Sequence, residues 1–78
     1  MKTSDFLNSV CEAMGRAPNS LSLDDTPQTV SEWDSIGHLA IIAAVDEIAG
    51  GADSDDLRTF TSLRQLAEAL KKRGILED

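Results

Sequence analysis

The chain is poor in aromatic residues, cysteine and basic residues, and each shortage excludes something. Among 78 residues there is no tyrosine, one tryptophan and two phenylalanines. The core must therefore be aliphatic, and little stacking surface is left for nucleic-acid bases. Seven Lys and Arg against fourteen Asp and Glu give a net charge of −7. Phosphate recognition rests on excess positive charge, so neither nucleic acid nor an anionic membrane surface is an expected partner. A single cysteine, Cys11, excludes an internal disulfide. One histidine and one cysteine are too few for a zinc site. Asp53-Ser54-Asp55-Asp56 lacks the glycine and terminal glutamate of a calcium loop, so no metal is expected. No apolar run approaches membrane-spanning length. Met1 to Val10 shows neither a sustained apolar stretch nor a small-residue cleavage pattern, so the expected location is the cytoplasm.

What is present is enough for one small folded domain, residues 1–78, expected as a monomer. Apolar residues make up 41% and charged residues 27% of the chain, a globular balance. The charge is uneven. Residues 1–57 carry eleven acids against Lys2 and Arg16, net −9, whereas residues 58–78 carry five bases against three acids, net +2. Such polarity suits electrostatic steering of a basic partner protein onto the acidic portion, and equally suits ordinary solvated helix surface.

The spacing of apolar residues predicts helices and no strand. Phe6, Leu7, Val10, Cys11 and Met14 recur at helical spacing from a Thr3/Ser4 cap to an end near Gly15 or Ala17, with Cys11 as a small core hydrophobe. A loop from Pro18 to Thr29 follows, anchored by Leu21 and Leu23. A second helix runs from Ser35 to Ala49 and stops at Gly50-Gly51. A short helix is expected near Ser54–Arg58, capped by Asp53 or Ser54. Ser62-x-x-Gln65 reads as a capping box for a last helix with one apolar face of Leu63, Leu66, Ala67 and Leu70. Gly74 ends it, with Ile75 and Leu76 folding back. The fold class is all-α: a small bundle of three principal helices plus one short helix.

Trp33-Asp34-Ser35-Ile36-Gly37-His38-Leu39 is the most informative stretch. Asp34 can cap the second helix, and Trp33 can pack back near Leu39 as a staple. Ser35 then lies in the first turn, where free N–H groups and the helix dipole favour an anion such as a phosphodiester. Equally, Ser35 could merely assist the cap. Further along, Ile41, Ile42, Val45 and Ile48 form a core-facing stripe. Ile36, Ala40, Ala43 and Glu47 form a second, small and mildly apolar face edged by Asp46.

Asp34-Ser35-Ile36, opening the second helix of a small acidic bundle, resembles the acyl carrier proteins of the phosphopantetheine-binding superfamily. Asp-Ser followed by an aliphatic residue is the shared motif, and Trp33 to Leu39 is similar to stand-alone carriers. The resemblance runs over nearly the whole chain. It implies a protein that performs no chemistry itself and has no catalytic residues. A phosphopantetheinyl transferase would attach 4′-phosphopantetheine to Ser35. A loading enzyme would then place an acyl or aminoacyl group on its thiol, for downstream biosynthetic enzymes. It further implies that Asp34, Ile36, Ala40, Ala43, Asp46 and Glu47 form the partner-docking face. Leu39, Ile42, Val45, Phe60 and Leu63 would be the interior able to shelter a chain.

The chain also departs from the fatty-acid carriers. Gly37 and Ala40 stand where acids are frequent, so docking should lean on small apolar contacts. Gly50-Gly51-Ala52 replaces a stretch that usually holds a larger aliphatic residue. Both point to a dedicated pathway with short or polar cargo. His38, near Ser35, raises the thought of a hydrolase, but no Gly-x-Ser-x-Gly elbow or further catalytic group accompanies it. The rival is a helical adaptor that binds a partner through Ile36, Ala40 and Ala43, with Ser35 only a cap.

Overall fold

A computed structural model describes residues 1–51 and 54–77. Its elements, in order, are helix α1 (Thr3–Ala13), helix α2 (Ser35–Ala49), a single 3-10 turn (Asp55–Leu57) and helix α3 (Leu63–Lys72). Among the described residues there is no strand, and the all-α bundle expected from the spacing is what forms.

Helix α1 begins one residue earlier than its polar residues suggest. The flanking position is Lys2, which makes no side-chain cap bond, so neither Thr3 nor Ser4 is the cap. The helix also ends sooner, at Ala13, with Gly15 turning the chain out in the left-handed region. Phe6, Val10 and Cys11 form its buried face. The long connection of residues 14–34 is held by three buried side chains, Leu21, Val30 and Trp33, with Leu23 partly buried. Arg16 at the end of α1 pairs with Glu32 at 2.7 Å, pinning the loop just ahead of α2.

Helix α2 starts and stops where its residues dictate. Asp34 Oδ1 accepts from the Gly37 N–H at 2.9 Å, and Gly50 closes the helix with φ near 71° and its N–H on the Asp46 carbonyl. Ile41 and Val45 are fully buried, while Ile42 and Ile48 pack partly buried against the core. The short helix is a 3-10 turn, flanked by Ser54 without a side-chain cap bond; Asp53, the other expected cap, lies outside the described residues.

Helix α3 carries the predicted capping box with one change of partner. Ser62 Oγ accepts from the Gln65 N–H at 3.1 Å, while Gln65 Oε1 accepts from the N–H and hydroxyl of Thr61, both at 2.9 Å. Leu63, Leu66, Ala67 and Leu70 are buried as expected, and Leu76 folds back into the core after Gly74. The core is thus one aliphatic cluster with Phe6, Trp33 and Phe60 as its rings. No helix among the described residues is long and apolar enough to cross a membrane.

Candidate functional site

The start of α2 differs from the start of α3 in what its backbone donors do. At α3 the first three are taken: Leu63 N–H reaches the Asp25 carbonyl at 3.4 Å, Arg64 N–H the Leu23 carbonyl at 3.1 Å, and Gln65 N–H the Ser62 hydroxyl. At α2 only the third is taken, by Asp34. The N–H groups of Ser35 and Ile36 have no acceptor among the described residues. Unpaired N–H groups at the positive end of a helix favour an anion.

Ser35 itself is exposed, and its hydroxyl makes no hydrogen bond among the described residues. Asp34 does the capping alone, so the reading of Ser35 as part of the cap finds no bond to support it. The first turn of α2 carries no acid, and the Asp34 carboxylate is turned back into its own cap. This is an accessible hydroxyl beside free donors. A phosphodiester at Ser35, such as that of 4′-phosphopantetheine, would fit that donor set, with the Ser35 and Ile36 N–H groups available to it.

Both neighbours of Ser35 on the core side are fixed by contacts that simple helix rules miss. Trp33 packs back onto α2 through His38, with Leu39 lining the same groove. Trp33 Nε1–H donates to His38 Nδ1 at 3.1 Å, and their rings stack with centroids 6.4 Å apart. Because Nδ1 accepts, Nε2 carries the proton and donates to the Arg58 carbonyl at 2.7 Å. The imidazole also stacks on Phe60 at 4.5 Å between centroids. Both ring nitrogens are thus occupied by structural bonds, and neither is free to serve Ser35 as a base. Gly37, one turn position earlier, is buried against the preceding loop. A Cβ there would collide with the Glu32 carbonyl oxygen, so glycine is a packing requirement and not a missing docking acid.

The residues expected to form a docking face do share one side of α2. Asp34, Ile36, Ala43, Asp46 and Glu47 are exposed and Ala40 is half-buried. Leu39 joins them, 62% exposed beside Ile36 at 78%, instead of joining the interior. Ile36, Leu39, Ala40 and Ala43 run at i, i+3, i+4 and i+7, a continuous apolar stripe starting beside Ser35. Of the other expected interior residues, Val45, Phe60 and Leu63 are buried together and Ile42 is half-buried. A groove of about 300 Å³ runs along Met14, Glu32, Ile36, Gly37 and Ala40, and two larger ones flank the stripe. One, of about 530 Å³, is lined by Pro27, Trp33, Asp34, Ser35, His38 and Leu39. The other, of about 410 Å³, lies between α1 and α2 along Ala13, Ala40, Ala43 and Ala44, with Glu12 and Glu47 among its walls.

No family model, curated protein or solved structure matches this chain. The functional reading therefore rests on the residues and their geometry.

Proposed function

We propose that the chain is a carrier protein. In this reading Ser35 bears 4′-phosphopantetheine and an acyl or aminoacyl group travels on it between biosynthetic enzymes. One observation carries the reading: among the described residues, an exposed serine hydroxyl has no hydrogen-bond partner, at a helix start where two backbone donors also have no acceptor. Loading is a transfer from coenzyme A. The Ser35 oxygen forms a bond to the phosphorus next to the pantetheine, the pyrophosphate bridge breaks, the adenosine bisphosphate leaves, and the transferase takes the hydroxyl proton. The arm, once attached, supplies a thiol that holds cargo as a thioester. The chain's own part is to present Ser35, to offer N–H donors to the phosphodiester and to dock its partners.

Docking in this reading uses Ile36, Leu39, Ala40 and Ala43, with Asp34, Asp46 and Glu47 as its charged edge. The acidic balance of residues 1–57 steers basic-faced enzymes toward it. A tethered arm raises the local concentration of cargo at each partner without needing tight docking. The same stripe would serve a helical adaptor, and Ser35 separates the two.

The experiment is intact mass after incubation with coenzyme A and a broad-specificity phosphopantetheinyl transferase. The expected result is one phosphopantetheine-sized gain in the wild type and none in Ser35→Ala. The melting temperature of Ser35→Ala should be unchanged, because the hydroxyl has no partner to lose among the described residues. A wild type left unmodified beside a control carrier that is modified would favour the adaptor.

A further inference from the structure

Beside Ser35 each flank of α2 is packed against another segment. On one flank Gly37 lies against the Glu32 backbone with no room for even a methyl group. On the other flank His38 spans from α2 to the segment ahead of α3. It is held by the Trp33 indole N–H at 3.1 Å and by the Arg58 carbonyl at 2.7 Å, and it stacks on Phe60. Trp33 and Phe60, 5% and 3% exposed, also meet each other at 5.9 Å between centroids. Behind them Ile41, Val45 and Leu63 are wholly buried. Leu39, expected among the interior residues, faces water.

The two closures differ in kind. The Gly37 flank is main chain against main chain and opens only if the loop moves. The His38 flank is closed by side chains, and parting it would break both imidazole hydrogen bonds and leave the indole N–H of a buried tryptophan without an acceptor. We propose that His38 determines the class of cargo. It latches α2 to the Arg58–Phe60 segment, so that a group carried on Ser35 stays outside the core. The proposal rests on the carrier reading and extends it to substrate class. Outside the core a long alkyl chain meets only the open groove along Pro27, Trp33 and Leu39 and gains less from burial than it would inside, so the suited cargo is a short or polar acyl or aminoacyl group.

The test uses wild type, His38→Ala and Phe60→Leu, each loaded from acetyl- and octanoyl-coenzyme A by a broad-specificity transferase. Thioester hydrolysis at alkaline pH is measured beside acetyl- and octanoyl-pantetheine free in solution. In the wild type the octanoyl-to-acetyl rate ratio should equal that of the free thioesters. The methyl resonances of Ile41, Val45 and Leu63 should be the same in both loaded forms. In the two variants octanoyl hydrolysis should slow several-fold while acetyl hydrolysis does not. Mere loosening of the fold gives no such chain-length-selective protection. Octanoyl protection or shifted core methyls in the wild type would overturn the proposal. So would folded variants that protect no better than wild type. Should His38→Ala fail to fold, Phe60→Leu and the wild-type methyl comparison decide. Wild type that accepts neither group overturns the carrier reading, and this inference with it.

Discussion

Helices α2 and α3 are both rich in aliphatic residues but distribute them differently. In α3 the division is clean: Leu63, Leu66, Ala67, Ala69 and Leu70 face the core while Arg64, Gln65, Glu68, Lys71 and Lys72 face water. Its N-terminal donors are bonded within the chain. Helix α2 is apolar on both sides. Ile41, Ala44 and Val45 are buried, yet Ile36, Leu39 and Ala43 are exposed, and its first two N–H groups have no acceptor among the described residues. A helix that needs only to hold a fold together has no reason to present isoleucine and leucine to solvent. The contrast separates a helix committed to packing from one that keeps a face and an end free, and Ser35 sits at that end.

Truncating leucines on the two helices gives the largest test of this contrast. Leu66→Ala removes a fully buried side chain of α3 and should cost about 2–5 kcal/mol in chemical denaturation. Leu39→Ala on α2 should stay within about 0.5 kcal/mol, because the side chain is exposed. A large loss for Leu39→Ala would mean that its face is structural after all.

Gly37→Ala comes next. Helix propensity alone would make alanine the better residue by up to ~1 kcal/mol. The clash with the Glu32 carbonyl should reverse that sign and destabilise the fold by about 1–3 kcal/mol. A more stable variant would show that the loop yields easily and that the Gly37 flank is not a firm closure.

Removing the cap of α2 is smaller again. Asp34→Ala deletes the acceptor for the Gly37 N–H and should cost about 1 kcal/mol, read from the denaturation midpoint. Since Ser35 contributes nothing to the cap, Ser35→Ala should not compound this loss in the double variant. Additivity in excess of the single Asp34 effect would reveal a hidden capping role for the serine.

The smallest effect is a pH dependence at the entry to α2. The Glu32 carboxyl is held below its usual range, first by its own backbone N–H, against the opposing effect of desolvation, and then by Arg16 and Ser31. A group lowered in the folded state stabilises it above its unfolded pKa. That stabilisation is lost as pH falls through the lowered folded value. Arg16→Ala should therefore flatten the acid side of the stability profile slightly, and an unchanged profile would show that the 2.7 Å pair carries no stability.

Much of this molecule was legible in the residues themselves. Asp34 as cap, Gly50 as stop, the Ser62–Gln65 box and the buried faces of Phe6, Val10, Leu63, Leu66 and Leu70 all follow from interactions within one helical turn. Those rules depend on chain-local geometry and carry over from sequence to structure directly. The departures sit where a distant or irregular segment intervenes. Periodicity could not place Leu39, because a helix apolar on both sides gives two faces and no preference between them. His38 gained its partners from Arg58 and Phe60, some twenty residues on, which spacing along α2 cannot reach. Gly37 looked like a lost docking acid until the path of the Glu32 loop showed the backbone lying against it. The sequence by itself determined the helices, the ends of α2 and α3 and most of the core. Only the tertiary structure decided which face of α2 remains open and how the core beside Ser35 is closed, because those depend on where the two connecting loops come to rest.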